Sequence, residues 1–152
     1  IAAAMVAGFL GMGQLTYRLS RLGVAPLGVA VSGMALFMLA QLALLLGWGP
    51  IGPLWALFGF FGTAGTLTYA ILTQAFPPAL AGRVNTALNL LVFVAAFAGQ
   101  WSMGAIINRW PLDGGGYADP GYRWAFGLAL ALQALTWVWL LIGARRPVGY
   151  SV

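Results

Sequence analysis

Between Arg21 and Arg83 the chain carries no charged side chain at all. A soluble domain places charge on roughly a quarter of its positions. Here 6% of residues are charged and 62% are hydrophobic. A helix that crosses a bilayer needs about 20 apolar residues, and the uncharged stretch is long enough for two such helices with a turn between them. So much apolar surface is stable only where the surrounding solvent is itself apolar. The chain is expected to be an integral membrane protein of the all-α class.

The charges that do occur cut the sequence into helix-sized pieces. They are Arg18, Arg21, Arg83, Arg109, Arg123, Arg145, Arg146, Asp113 and Asp119. Between and around them lie five hydrophobic segments, at about residues 1–17, 26–47, 54–76, 84–108 and 123–143. The first is short for a full crossing and starts without Met or a basic leader. It reads as a helix already under way, so the chain is expected to be a piece of something longer. Pro26 suits a helix's first turn. Residues 47–53 (GWGPIGP) break the chain without any charge, and Pro77-Pro78 ends the third segment. The longest polar connection, residues 109–122, holds Pro111, the run Gly114-Gly115-Gly116 and Pro120. No segment alternates with period two, so strands are not expected. Residues 1–152 therefore form one transmembrane bundle of about five spans.

Orientation follows from the arginines. If the first segment exits on one side, that side receives Arg18, Arg21, Arg83, Arg145 and Arg146, while the other receives Arg109, Arg123 and both aspartates. The positive-inside rule makes the arginine-rich side cytoplasmic, with the C-terminus there too. A net charge of +5 is spread over helix ends in ones and twos, which is not the clustered basic face that nucleic acid requires. Trp48, Trp55, Trp110, Tyr117, Tyr122 and Trp124 fall at the outer interface, where amphipathic rings gather. Trp101, Trp137 and Trp139 lie deeper.

Catalysis has little to draw on. The chain has no cysteine and no histidine, and also lacks lysine and glutamate, leaving Asp113 and Asp119 in a glycine-rich loop as the only usual acid–base groups. A hard cation wants six to eight oxygens, so these two are read as a solvated turn and no metal is expected. No cofactor is expected, and the chain is not expected to be an enzyme. No carboxylate or imidazole lies within a span, so a proton-coupled parent would hold its titrating group elsewhere.

Polarity within the spans is neutral. Thr63, Thr66 and Thr73 fall near one face of the third segment, and Asn85, Asn89 and Gln100 near one face of the fourth. Amides and hydroxyls in hydrocarbon cost free energy unless paired, so both faces are expected to look inward. They either line a solute pathway or hydrogen-bond helix to helix. Gln41 and Gln133 share their faces with no other polar residue. Gly8 with Gly11, the series Gly59, Gly62 and Gly65, and Gly99 with Gly104 permit close helix approach.

Residues 13–23 read GQLTYRLSRLG. This resembles the G-x-L-x-D-R-x-G-R loop of the major facilitator superfamily, in the degenerate copy found in the second half of those transporters. Gly13, Leu15, Arg18 and Arg21 keep the pattern, while Tyr17 stands where the family has Asp and Ser20 where it has Gly. FPPALAGR at residues 76–83 is similar to the loop between the tenth and eleventh helices. GQWSMGAIIN at residues 99–108 is similar to the eleventh helix, and YRWAF at residues 122–126 to the entry of the last.

The resemblance implies helices eight to twelve of a twelve-helix transporter working by alternating access. Helices eight, ten and eleven would border the cavity, with nine and twelve outside. Candidate pathway residues are Gln14, Thr63, Thr66, Thr73, Asn85, Asn89 and Gln100. Gly13, Arg18, Arg21 and Arg83 would form a cytoplasmic gate loop, unless the arginines only set topology. Implied partners are membrane lipid, the missing N-terminal half and a small solute of unknown kind. The implied location is a bacterial cytoplasmic membrane. Two rival readings are a scaffold subunit packing through small-residue faces and a membrane enzyme with its active groups upstream.

Overall fold

The computed structural model describes residues 1–113 and 116–144, with the side chains of Asp113 and Ala144 left aside. The described residues form an all-helical bundle, as expected. Helix α1 covers Ala2–Arg21 and α2 covers Pro26–Leu46. A third span is made of α3 (Ile51–Gly62), a 3-10 turn (Thr63–Thr66) and α4 (Leu67–Gln74). Helices α5 (Ala81–Ile107) and α6 (Asp119–Ala144) complete it. In hydrocarbon a helix is the natural choice because it satisfies every backbone group within its own segment.

Among the described residues four helical stretches are long and apolar enough to cross a membrane: Pro26–Leu46, Ile51–Gln74, Pro78–Ile107 and Asp119–Gly143. Helix α1 is not one of them. Its alanines and glycines are only weakly apolar, and Gln14, Thr16, Tyr17 and Arg18 lower its hydropathy further.

The turns are built as their residues dictate. At the end of α2 Gly47 takes φ +69°, and the Trp48 N–H reaches back to the Ala43 carbonyl at 2.9 Å. After α1, Gly23 at φ +86° serves the same purpose, with Val24 N–H bonded to Leu19 O at 3.0 Å. Both are six-to-one helix stops that need a left-handed residue, hence glycine. Between α5 and α6, Leu112–Asp113 and Gly116–Tyr117 pair as a minimal antiparallel ladder, a short pair of strands that the sequence did not lead one to expect.

Helix directions alternate. Gly59 lies against Ile1 and Gly8 against Thr63, so α1 and α3 run parallel. Gly33 meets Ala64 and Phe37 stacks on Phe58 at 4.5 Å, so α2 runs opposite to both. Gln41 bonds to Phe126 and Trp137 to Val31, setting α6 antiparallel to α2. Arg18, Arg21 and Arg83 therefore sit at one end of the bundle, and Arg109 and Arg123 at the other. Arg145 and Arg146 lie outside the described residues.

One expectation is corrected. The residues of the expected gate loop are helical: α1 continues through Gly13 and Arg18 to Arg21, because nothing between Gly13 and Gly23 stops a helix and cations at a helix C-terminus are favoured by the dipole. Arg83 likewise lies inside α5. Helix α2 contributes five buried residues, Val29, Ala30, Gly33, Ala40 and Gln41, whereas α5 contributes none.

The core sits where α1, α2 and the 3-10 turn meet, with Met12, Val29 and Ala64 at its centre. Glycine brings the backbones together there. A Cβ on Gly8 would lie 2.6 Å from the Phe60 carbonyl and from Thr63 Oγ1, and one on Gly33 would lie 2.6 Å from the Ala64 Cβ. Gly11, Gly59 and Gly62 also face close neighbours, as expected. Gly65, Gly99 and Gly104 do not: among the described residues a Cβ there would meet nothing within 4 Å.

Candidate functional site: a polar ladder and the cleft behind it

The third span is interrupted in its middle. The sequence GFFGTAGT at residues 59–66 combines glycines with threonines, whose hydroxyls compete for backbone carbonyls. Thr63 Oγ1 donates to Phe60 O at 2.7 Å, Thr66 to Thr63 O at 2.8 Å and Thr68 to Gly65 O at 2.6 Å. These reach-back bonds coincide with the 3-10 turn, a geometry that within a helix often marks a hinge.

Below this break α4 and α5 are joined by two polar contacts. The Tyr69 hydroxyl donates to Asn89 Oδ1 at 2.7 Å. One turn on, Thr73 Oγ1 lies 2.8 Å from Asn85 Oδ1 and donates to its own helix at Tyr69 O, 2.6 Å away. A single hydroxyl proton cannot serve both oxygens. Turning the Asn85 amide so that Nδ2 donates to Thr73 Oγ1 satisfies all three groups. The residues pair as an antiparallel ladder, with Tyr69 and Thr73 spaced i, i+4 on one helix and Asn85 and Asn89 spaced i, i+4 on the other. In membrane bundles such contacts average about 0.6 kcal/mol and reach about 1.7 kcal/mol each. The ladder is thus a pair of weak polar contacts at the end of the bundle that carries Arg18, Arg21 and Arg83.

Beyond the ladder α5 stands away from its neighbours. Every residue from Asn89 to Ser102 is exposed. At about 100° per residue, Gln100 lies about 60° round the helix from Asn85, and Val92, Ala96 and Met103 share that side. The same face closes again at its far end, where Met103 and Ile107 meet α2, α3 and α6 around a cavity of about 490 Å³. Its wall includes Ile51, Trp55, Tyr122, Arg123 and Phe126. This face of α5 is therefore held at both ends and uncovered between them, and we term the uncovered stretch from the ladder to the cavity the cleft.

Asn85, Asn89 and Thr73 come together, and Gln100 faces the open stretch behind them. The three threonines do not form one lining. Thr63 is sealed against α1 at 2% exposure, Thr66 is exposed, and Thr73 meets α5. The span crosses different neighbours at different heights, which a helical wheel cannot register. Gln14 is exposed on α1 and takes no part in the ladder, nor do Gly13, Arg18, Arg21 and Arg83.

Tyr69 was a polar residue of the third segment without a place in the candidate set. Its i, i+4 spacing to Thr73, matched by that of the two asparagines, is the signal that pairs them. Gln41 is 1% exposed and donates from Nε2 to the Phe126 carbonyl at 3.0 Å, leaving Oε1 buried without a partner. Beside it Phe37, Trp55, Phe58 and Phe126 form a ring cluster with centroids 4.5–6.2 Å apart. Gln133 Oε1 is buried and unpartnered as well, at a second cavity of about 330 Å³ between α2, the 3-10 turn and α6. Set against known proteins, the chain matches no family model, no curated protein and no solved structure.

Proposed function

We propose that this chain is the C-terminal part of a secondary transporter of the major facilitator type, and that a small solute moves along the inward face of α5. The observation that carries the reading is the ladder of Tyr69–Asn89 and Thr73–Asn85 backed by an open cleft. A polar seal of about 1–3 kcal/mol in total is strong enough to favour a closed state and weak enough to be released by solute binding. The 3-10 turn within the third span supports it further, since such a turn inside a helix often marks a hinge. The close α1–α3 glycine seam favours the scaffold alternative, because tight small-residue contacts resist sliding.

In this reading the end bearing Arg18, Arg21 and Arg83 faces the cytoplasm of a bacterial cell, and the ladder is the inner gate. The seven preceding helices and lipid complete the pathway. Solute uptake into vesicles containing the intact parent, with and without a pH gradient, tests it. Gradient-driven accumulation that is abolished by Asn89→Leu supports transport. Vesicles that never accumulate solute, with the chain found in a stable complex with another membrane subunit, favour the scaffold.

A further inference from the structure

The cavity at the Arg109–Arg123 end has a chemistry of its own. Its wall is apolar and aromatic, with Trp55, Phe126, Met103 and Ile107 among its members, and among the described residues of the lining Arg123 is the one charged side chain. About 490 Å³ falls within the range of about 300–1,000 Å³ typical of small-molecule sites. Arg123 stands one turn into α6, which begins at Asp119. Asp119 stands four residues before it at the helix start, a spacing at which acid and base stabilise a helix. The described lining of the cavity itself holds no carboxylate, so an anion entering it meets the guanidinium alone.

We propose that this cavity binds an amphipathic organic anion, a carboxylate on an apolar body, taken from solution. The carboxylate pairs with the Arg123 guanidinium, whose planar fork accepts it through two parallel N–H bonds. The hydrocarbon body lies between Trp55 of α3 and Met103 and Ile107 of α5. Those two α5 residues share the face of Asn85, Asn89 and Gln100, so the bound acid sits at the mouth of the cleft. As a substrate class the inference rests on the pathway reading; as a binding site it does not.

The test uses the protein in phosphatidylcholine nanodiscs and ω-bromoundecanoate, whose bromine quenches tryptophan. Saturable quenching is expected, most of it lost in Trp55→Phe. The uncharged methyl ester binds at least about tenfold more weakly, and Arg123→Gln weakens the acid by at least about tenfold, as loss of a charge-assisted hydrogen bond requires. Arg123→Lys, which keeps the charge and loses the fork, falls between. An ester that binds as tightly as the acid overturns the proposal without recourse to any variant. So does displacement of the acid by phosphatidylglycerol in the disc, which would make a lipid headgroup the occupant. Binding without transport in the uptake assay would keep the site and sink the pathway; transport without binding would do the reverse.

Discussion

The Tyr69 hydroxyl on α4 and the Asn89 amide oxygen on α5 lie 2.7 Å apart, and this contact is one of the two polar rungs between the helices. Everything proposed for the cleft turns on how readily that rung parts.

Tyr69→Phe removes the rung and leaves the ring. With about 0.6–1.7 kcal/mol at stake, the open state should gain about 3- to 20-fold in population. The measure is the rate at which a polar thiol reagent, added on the Arg18–Arg83 side, labels a cysteine at position 100. An unchanged rate would mean that the ladder packs helices and gates nothing.

The absence of native cysteine makes single-cysteine labelling a clean map of water. Gln100→Cys on the cleft side of α5 should react with a charged maleimide within minutes. Leu91→Cys, at a position 66% exposed and about 180° round the helix from Gln100, should stay unlabelled because lipid, not water, covers it. Equal labelling of the two would remove the distinction between cleft and lipid face.

The glycine seam separates sites that look alike in sequence. Gly8→Ala and Gly33→Ala push a methyl to 2.6 Å from fixed neighbours and should cost about 1–3 kcal/mol of stability. Gly99→Ala and Gly104→Ala meet open space and should stabilise by about 0.5–1 kcal/mol through helix propensity. Unfolding in mixed micelles reads both directions.

Gln41 tests the price of a half-used amide. Gln41→Met loses one bond to a carbonyl but also removes the buried, unpaired Oε1. The two effects are of similar size, about 1–3 kcal/mol, so the variant should be neutral or more stable. A clear loss of stability would show that Oε1 has a partner in the membrane, an ordered water being the simplest.

Much of this bundle was legible in the sequence, and the reasons differ by element. Arginines and prolines bracket α2, α5 and α6 because lipid tolerates neither charge nor broken backbone, so those spans fall close to their expected bounds. The end of α1 was set too early because Arg18 marks the membrane surface and not the end of the helix. The two asparagines announced their shared face, since amides at i, i+4 in hydrocarbon must look inward. Gln41 gave no such sign: its partner is a backbone carbonyl of α6, and any residue at position 126 would offer the same oxygen. The Gly33–Ala64 contact was hidden for a related reason. One glycine has no spacing pattern, and the crossing point of two helices is fixed only when the whole bundle assembles.

Helix α5 has 27 residues, which at 1.5 Å each makes a rod of about 40 Å against a hydrocarbon thickness of about 30 Å. It is pinned near its two tips and bare at its waist, where Phe93, Phe97 and Trp101 are 70–75% exposed. Such a rod has to tilt or bow to fit, and a thinner bilayer demands more of it. Membrane thickness thus becomes a mechanical input, bending a helix that the described residues leave uncovered at its waist.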